Sequence, residues 1–466
     1  MRKKAATLLG LALLSRAFAL DLYVSQTGSG DCSQNNPCSL QTALNQAAAT
    51  LDNDTVHIAS GSYTVNSLHY KPTISAGNIS IIGEGNVVLD ANSQGRVLEI
   101  DTSGANDDGL KILVENITFK NGLISGGNDK GGGLKIKTRY ANITVKNCSF
   151  ENNTVTQDAD GAGLFVSTET GNINLEHSTF KNNNSDDYSG GFDLTSNEGR
   201  IIVSHNTVIN NSGGYGGGGS VETSIGRIDI LNNIFAKNRA TALGNGRGGG
   251  LLINLNAGET YIINNTITKN SSSAYGGVIH IKAFDNNGKI FLYNNIAYFN
   301  SADKNGDDIY IETEKSDTEK YTPTINIENN DYHYIYIENE TAITSENKLK
   351  EQNNLSVDPA FVDIENGDYH LSQNSPVIDK GDSSPILPIP ETDIDGEPRL
   401  QGNGVDIGAD EAPVQNSGNG NNNQQTNNTS GGGGGGCSLS PSTSPANALL
   451  YLALPMVLFL RRLLRR

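Results

Sequence analysis

The sequence predicts an all-β chain wound as a parallel β-helix, a solenoid with a short helix capping its N-terminal end. Three observations predict it. A nine-residue phrase recurs, as VKNCSFENN at 145–153, LEHSTFKNN at 175–183, VSHNTVINN at 203–211 and IINNTITKN at 262–270. A second phrase keeps step with it: GGGLKI at 131, GAGLFV at 161, SGGFDL at 189, GGGLLI at 248 and YGGVIH at 275. Between these marks the chain runs in four- or five-residue stretches of alternating apolar and polar residues, with no ten-residue amphipathic run, so each unit of about 30 residues holds strands and not helices.

Taken in order, the chain opens with MRKKAATLLGLALLSRAFA, which has the basic start, apolar middle and Ala17-Phe18-Ala19 site of a secretory signal over residues 1–19. Its apolar run is too short for a helix of about 20 residues across a bilayer. Cys32 and Cys38, in DCSQNNPCS, read as a small-loop disulfide in an exported chain, with no neighbouring His or Cys to make a metal site. Within an N-terminal cap at 20–54, Ser39–Leu51 places Leu40, Leu44, Ala47, Ala48 and Leu51 on one helical face, with Ser39 as N-cap. Such a helix would plug the open end of the core, where bare strand edges invite aggregation.

The coils are expected over 55–345. Aligned on the third residue of the recurring phrase, Asn116, Asn147, His177, His205, Asn232, Asn264 and Asn294 fall 31, 30, 28, 27, 32 and 30 residues apart. An apolar residue precedes each by two, and Phe119, Phe150, Phe180, Val208 and Phe235 follow by three. Three short strands per winding, each paired with its copy about 4.8 Å away, would pile like residues into interior columns. Asn suits the sharp bend between strands because it tolerates left-handed backbone geometry, and its stacked side chains can hydrogen-bond along the axis. His177 and His205 are read as substituted members of this ladder, and Cys148 as a core or wall residue. The glycines suit the other corner.

A closing region is expected at 346–412, then an Asn/Gly-rich flexible linker at 413–436 with no means of burying a core. Residues 437–466 hold Cys437, an apolar run from Ala446 to Leu460 and a terminal RRLLRR. Eight of the 33 Lys and Arg lie in residues 1–20 and 461–466, leaving 25 against 51 acids in the body, a net charge of −26. So acidic a body repels phosphate backbones and disfavours nucleic acid as a partner.

The opening GSYTVNSL and ISIIGEGNVVLDA resemble the first coils of right-handed parallel β-helix proteins of the pectin-lyase-like superfamily. The paired phrases resemble repeats of polymorphic outer-membrane proteins. VDPAFVDIENGDYHLSQNSPVIDKGD followed by TDIDGEPRLQGNGVDIGADE resembles the closing region of choice-of-anchor bacterial β-helix proteins. The resemblance covers roughly residues 20–412 and implies a right-handed coil exposed at a bacterial surface. The Gly run, apolar segment and Arg cluster resemble C-terminal sorting signals of Gram-negative bacteria, which implies processing near Cys437 and makes it the lipid-attachment or anchoring residue. A permanent tail anchor with an incidental Cys is the other reading.

For chemistry, a lyase needs a basic proton abstractor beside Ca²⁺-binding carboxylates, and an inverting hydrolase needs carboxylates at roughly 6.5–9.5 Å. Neither motif set is present, and the pairs Asp107-Asp108, Asp186-Asp187 and Asp307-Asp308 sit in turns. No catalytic or metal-binding residue is therefore assigned, and no cofactor, although Asp129, Asp158, Asp160 and Asp186 recur at one corner where they could share Ca²⁺. Asp393-Ile394-Asp395-Gly396-Glu397 imitates half a calcium loop. Reading the strand after the glycines as alternating, Lys135, Phe165, Asp193, Leu252, Ile279 and Tyr310 point outward as a candidate contact surface. The expectation is an exported, surface-anchored monomer, an adhesin or structural surface protein that binds an extracellular glycan or cell-surface ligand without catalysis. It would sit on the outer membrane through its C-terminal segment or a lipid, or be secreted after processing. A polysaccharide lyase or hydrolase is the alternative.

Overall fold

The computed structural model describes residues 19–413 except 74, 76, 127–128, 158–159, 317 and 384–388. The signal segment, the linker, Cys437 and the tail lie outside the described residues, apart from Ala19 at the end of the signal and Pro413 at the start of the linker, and so does Asp158. The chain between winds about 10 times as a parallel β-helix. Its strands form a ten-stranded sheet, a nineteen-stranded sheet that each winding crosses twice, and a seven-stranded sheet of two- and three-residue strands. One winding reads Leu164–Thr168, then Ile173–Glu176 and Thr179–Lys181, then Asn184–Ser185, before Phe192–Ser196 begins the next.

The register follows the repeat. Phe119, Phe150 and Phe180 are successive partners, fully buried, with ring centroids 5.0 and 4.7 Å apart. Stacked ring faces fill the interior that no single winding could close by itself.

The corners carry the Asn code. All seven aligned residues, from Asn116 (φ 60°) to Asn294 (φ 55°), adopt left-handed backbone, His177 and His205 included. The axial ladder, however, is built one residue later. Asn206, Asn233, Asn265, Asn295 and Asn330 are buried, and each Nδ2 donates to the Oδ1 of the next at 2.9–3.3 Å, ending on Asn354. The aligned residues themselves turn outward, with an axial hydrogen bond of 3.4 Å from Asn294 to Asn264 and a ring stack of His177 on His205 at 4.7 Å. The reason is geometric: a residue at positive φ at the bend throws its side chain away from the core, and its successor points in. Cys148 and Ser178 occupy the earlier rungs of the inner column; the Cys148 amide donates to Ser178 Oγ at 3.1 Å, and the thiol is buried. A second ladder, from Asn153 through Asn183, Asn211, Asn238 and Asn270 to Asn300, lines the next corner at 2.9–3.2 Å.

The capping helix α1 (Leu40–Ala47) is shorter than expected. Ser39 caps it, accepting from the Thr42 amide at 3.3 Å. Leu40, Ala43, Leu44 and Ala47 are buried against the first windings, while Leu51, expected on that face, is 66% exposed because the helix has already ended. Strand Asp21–Val24 pairs with Asp54–Thr64, so the winding starts ahead of the helix. The Cys32–Cys38 disulfide closes the loop between them. At the far end, Ile343 of α2 (Glu340–Ser345) is buried in the main core, and Leu349–Gln352 forms the last rung of the nineteen-stranded sheet.

The described residues of 357–412 do not extend the helix. They fold back along its flank, burying Leu371, Val377 and Ile407 against Ile296. The outward side chains of the aligned column hold them there. Asn264 donates to the carbonyls of Asp406 and Gly408 at 3.1 and 3.2 Å, Asn294 to that of Asp382 at 3.1 Å, and His205 Nε2 contacts the Thr392 carbonyl at 3.2 Å. Arg399, buried, reaches Asn232 Oδ1 and lies 3.6 Å from Glu411.

Candidate binding face

Two columns of side chains meet over the outer face of the ten-stranded sheet. The first is the outward position of each strand. Register makes Lys135, Phe165, Asp193, Ser220, Leu252, His280, Tyr310 and Tyr336 consecutive partners. Ile279, expected in this column, pairs with Leu251 and faces the core. In YGGVIH the third glycine of the corner has become Val278, so counting from the glycines displaces the reading by one residue, and His280 takes the outward place.

The second column is the residue just before the corner glycines: Lys130, Asp160, Tyr188, Tyr215, Arg247 and Tyr275. Gly131, Gly161, Gly216, Gly248 and Gly276 turn at φ 58–73°, and a Cβ at Gly131 would come within 2.7 Å of the Leu134 carbonyl oxygen. This tight turn folds the preceding side chain back over the strand. The outward column is consequently covered: Phe165, Asp193, Leu252, His280 and Tyr310 are buried, not the open strand face that alternation suggests.

The cover is specific. Lys130 pairs with Asp160 and lies 4.9 Å above the Phe165 ring. Lys135 is held between Glu99 and Asp129 at 3.0 and 2.8 Å, and Arg96 also contacts Asp129, at 2.5 Å. Asp129 and Asp160 thus each face a cation. Tyr188 and Tyr215 pack at 5.3 Å; Tyr275 lies 5.0 Å from Tyr310, which stacks on Tyr336 at 5.2 Å and on His280 at 4.9 Å. Arg247 bonds Glu312 at 3.0 Å, and Glu312 also takes His280 Nε2 at 2.7 Å.

Burial governs the charges. It pushes the Asp193 carboxyl up to about 7, with Asp160 adding to the shift and Lys130 opposing it. It pulls His280 down to about 4 despite the Glu312 carboxylate. The His280–Glu312 contact is therefore a neutral imidazole donating to a carboxylate at pH 7, not an ion pair. The rim stays accessible: Tyr188 is 38% exposed, Tyr334 and Tyr336 reach solvent, and Glu222 and Lys137 are exposed. Alternation finds the first column. The second was legible only as the one bulky residue ahead of each glycine group, a position without apolar periodicity.

Among known proteins, residues 54–235 match the family model described as the right handed beta helix region. No curated protein sequence matches the chain. Among solved structures, pectate lyase Pel9A is 14% identical over 84% of this chain and 96% of its own, with a TM-score of 0.43. A rhamnogalacturonan lyase is 13% identical over 74% and 91%, with a TM-score of 0.30. The fold is that of a right-handed parallel β-helix.

Proposed function

We propose that the protein is an exported, surface-anchored β-helix that binds an extracellular glycan along the outer face of its ten-stranded sheet, as an adhesin or structural surface protein, without catalysis. The observation that carries this reading is the strip of Tyr188, Tyr215, Tyr275 and Tyr336, backed by the buried Tyr310 and set among Lys130, Arg247 and Glu222. Aromatic faces give an apolar platform with a polar edge, and fixed charges around them orient hydroxyl groups. Windings stack about every 4.8 Å, and the column runs Tyr188, Tyr215, Arg247, Tyr275 along the axis, which suits an extended polymer.

The acid and base groups of the strip are committed to one another, His280 to Glu312 and Lys130 to Asp160. Asp193 favours the second reading, a polysaccharide hydrolase or lyase, because a carboxyl raised to about 7 beside another carboxylate is how an acid and a base are set apart. It is 7% exposed, which places it under the platform instead of on it. The signal segment and Cys437 extend the proposal to a location: the outer membrane of a Gram-negative bacterium through the C-terminal segment or a lipid, or the medium after processing.

The purified full chain, incubated with uronic-acid and neutral polysaccharides with and without Ca²⁺, separates the readings. Retention on an insoluble glycan with no new reducing ends or unsaturated products supports binding. Product release that Asp193→Asn abolishes would establish the enzyme instead.

A further inference from the structure

The closing region carries a second cluster, made of residues that the binding face does not use. We propose that His370, Asp395 and Asp410 form a site for one divalent transition-metal cation of the zinc or manganese class, at the seam where residues 357–412 lie against the coils. One ligand atom from each lies within 4.8 Å of the others, the single such group among the described residues. They come from three separate segments: the strand Asp368–Leu371, the turn at 393–396 and the final run to Ala412.

The donors are held as ligands are held. Asp368 Oδ1 lies 2.5 Å from His370 Nδ1, which fixes the ring and points Nε2 at Asp395 Oδ2, 2.8 Å away. A carboxylate on one imidazole nitrogen with the other presented to the site is the usual support of a metal-bound His. Asp410 Oδ2 accepts from the Leu371 amide at 2.7 Å. Asp393, the first residue of the half calcium loop, is not a donor: its Oδ1 accepts from the amides of Asp395 and Glu397 at 3.0 and 2.8 Å, and its Oδ2 from that of Glu411 at 3.1 Å. Its work is to fix the turn that presents Asp395.

The three donors open on a cavity. Tyr369 is 4% exposed, its hydroxyl has no hydrogen-bond partner, and it lines the same cavity of about 350 Å³ as the three donors. His177 and His205, stacked at 4.7 Å, form its opposite wall. On binding, the cation replaces the Nε2 proton, which leaves to solvent, and the imidazole nitrogen and two carboxylate oxygens become its ligands. One nitrogen with two oxygens suits zinc or manganese, whereas calcium prefers oxygen alone, and three protein ligands leave a coordination position open to the cavity.

The test uses the full chain, stripped with chelator and titrated with Zn²⁺, Mn²⁺ and Ca²⁺ alone by calorimetry, with metal content read after dialysis. The result expected is one Zn²⁺ or Mn²⁺ per chain, a rise in melting temperature that chelator reverses, and at least a tenfold loss of affinity in both His370→Ala and Asp395→Asn. Both residues are exposed, so both variants should melt as the stripped parent does, while His177→Ala keeps the stoichiometry. No bound transition metal, or binding that survives the double variant His370→Ala/Asp395→Asn, would overturn the proposal.

Discussion

Asp193 shows what a single side chain does here. Its carboxyl sits under Lys130 with Asp160 and Glu222 nearby, and burial raises its pKa from 3.8 to about 7. A raised carboxyl means that the folded chain holds the proton more tightly than the unfolded chain. The stability it contributes is complete below pH 3.8 and is lost as pH rises through about 7. At about 1.4 kcal/mol for each tenfold, the ionised residue costs at most about 4 kcal/mol at pH 8. Asp193→Asn is therefore expected to raise the urea midpoint at pH 8 and leave it nearly unchanged at pH 4, in paired denaturation curves. An equal effect at both values would mean that the carboxyl is not desolvated as the packing implies.

At the scale of the element, the Asn doublet is the unit of the corner, and its two members do different work. In Asn152-Asn153 the first residue takes φ 54° and stays exposed, while the second is buried and donates to Asn183 Oδ1 at 2.9 Å and the Phe119 carbonyl at 3.1 Å. Asn153→Ala strands those partners and the Gly122 amide, and should cost on the order of 3 kcal/mol. Asn152→Gly keeps the turn and should stay within about 0.5 kcal/mol of the parent. Thermal unfolding of the two variants side by side checks the contrast. Much of this was legible in the sequence. The 27–32-residue spacing gave the windings, and the aligned Asn and His marked the bends. What spacing could not give was which member of each doublet points inward, since that depends on the sign of φ. Nor could it show that Val278 stands in for a glycine and moves His280 outward. The site at His370 was still less visible, because its ligands are joined by the fold-back of the closing region and by no local period.

For the whole molecule, the closing region acts as a strap along the flank, and Arg399 is its pin. The guanidinium is buried, with Nη1 donating to the Asp410 carbonyl at 3.1 Å and Nη2 to the Ala409 carbonyl at 3.0 Å, and it lies against Asn232 and Glu411. Arg399→Ala leaves Glu411 buried without its cation and is expected to cost about 3–5 kcal/mol. Limited proteolysis should then release residues after about 356 while the coils remain intact. Simultaneous loss of both would contradict a separate strap.

The central claim is that the aromatic strip on the ten-stranded sheet is where this β-helix meets a glycan. It is tested most directly by calorimetric titration of the best-retained polysaccharide into the full chain and into Tyr188→Ala/Tyr215→Ala, two half-exposed positions whose loss should leave the circular dichroism and melting curve in place. Aromatic contacts of this kind are each worth about 1–3 kcal/mol when truncated, so at least a tenfold loss of affinity is expected with no change in fold. Unchanged affinity in the double variant would move the binding surface elsewhere.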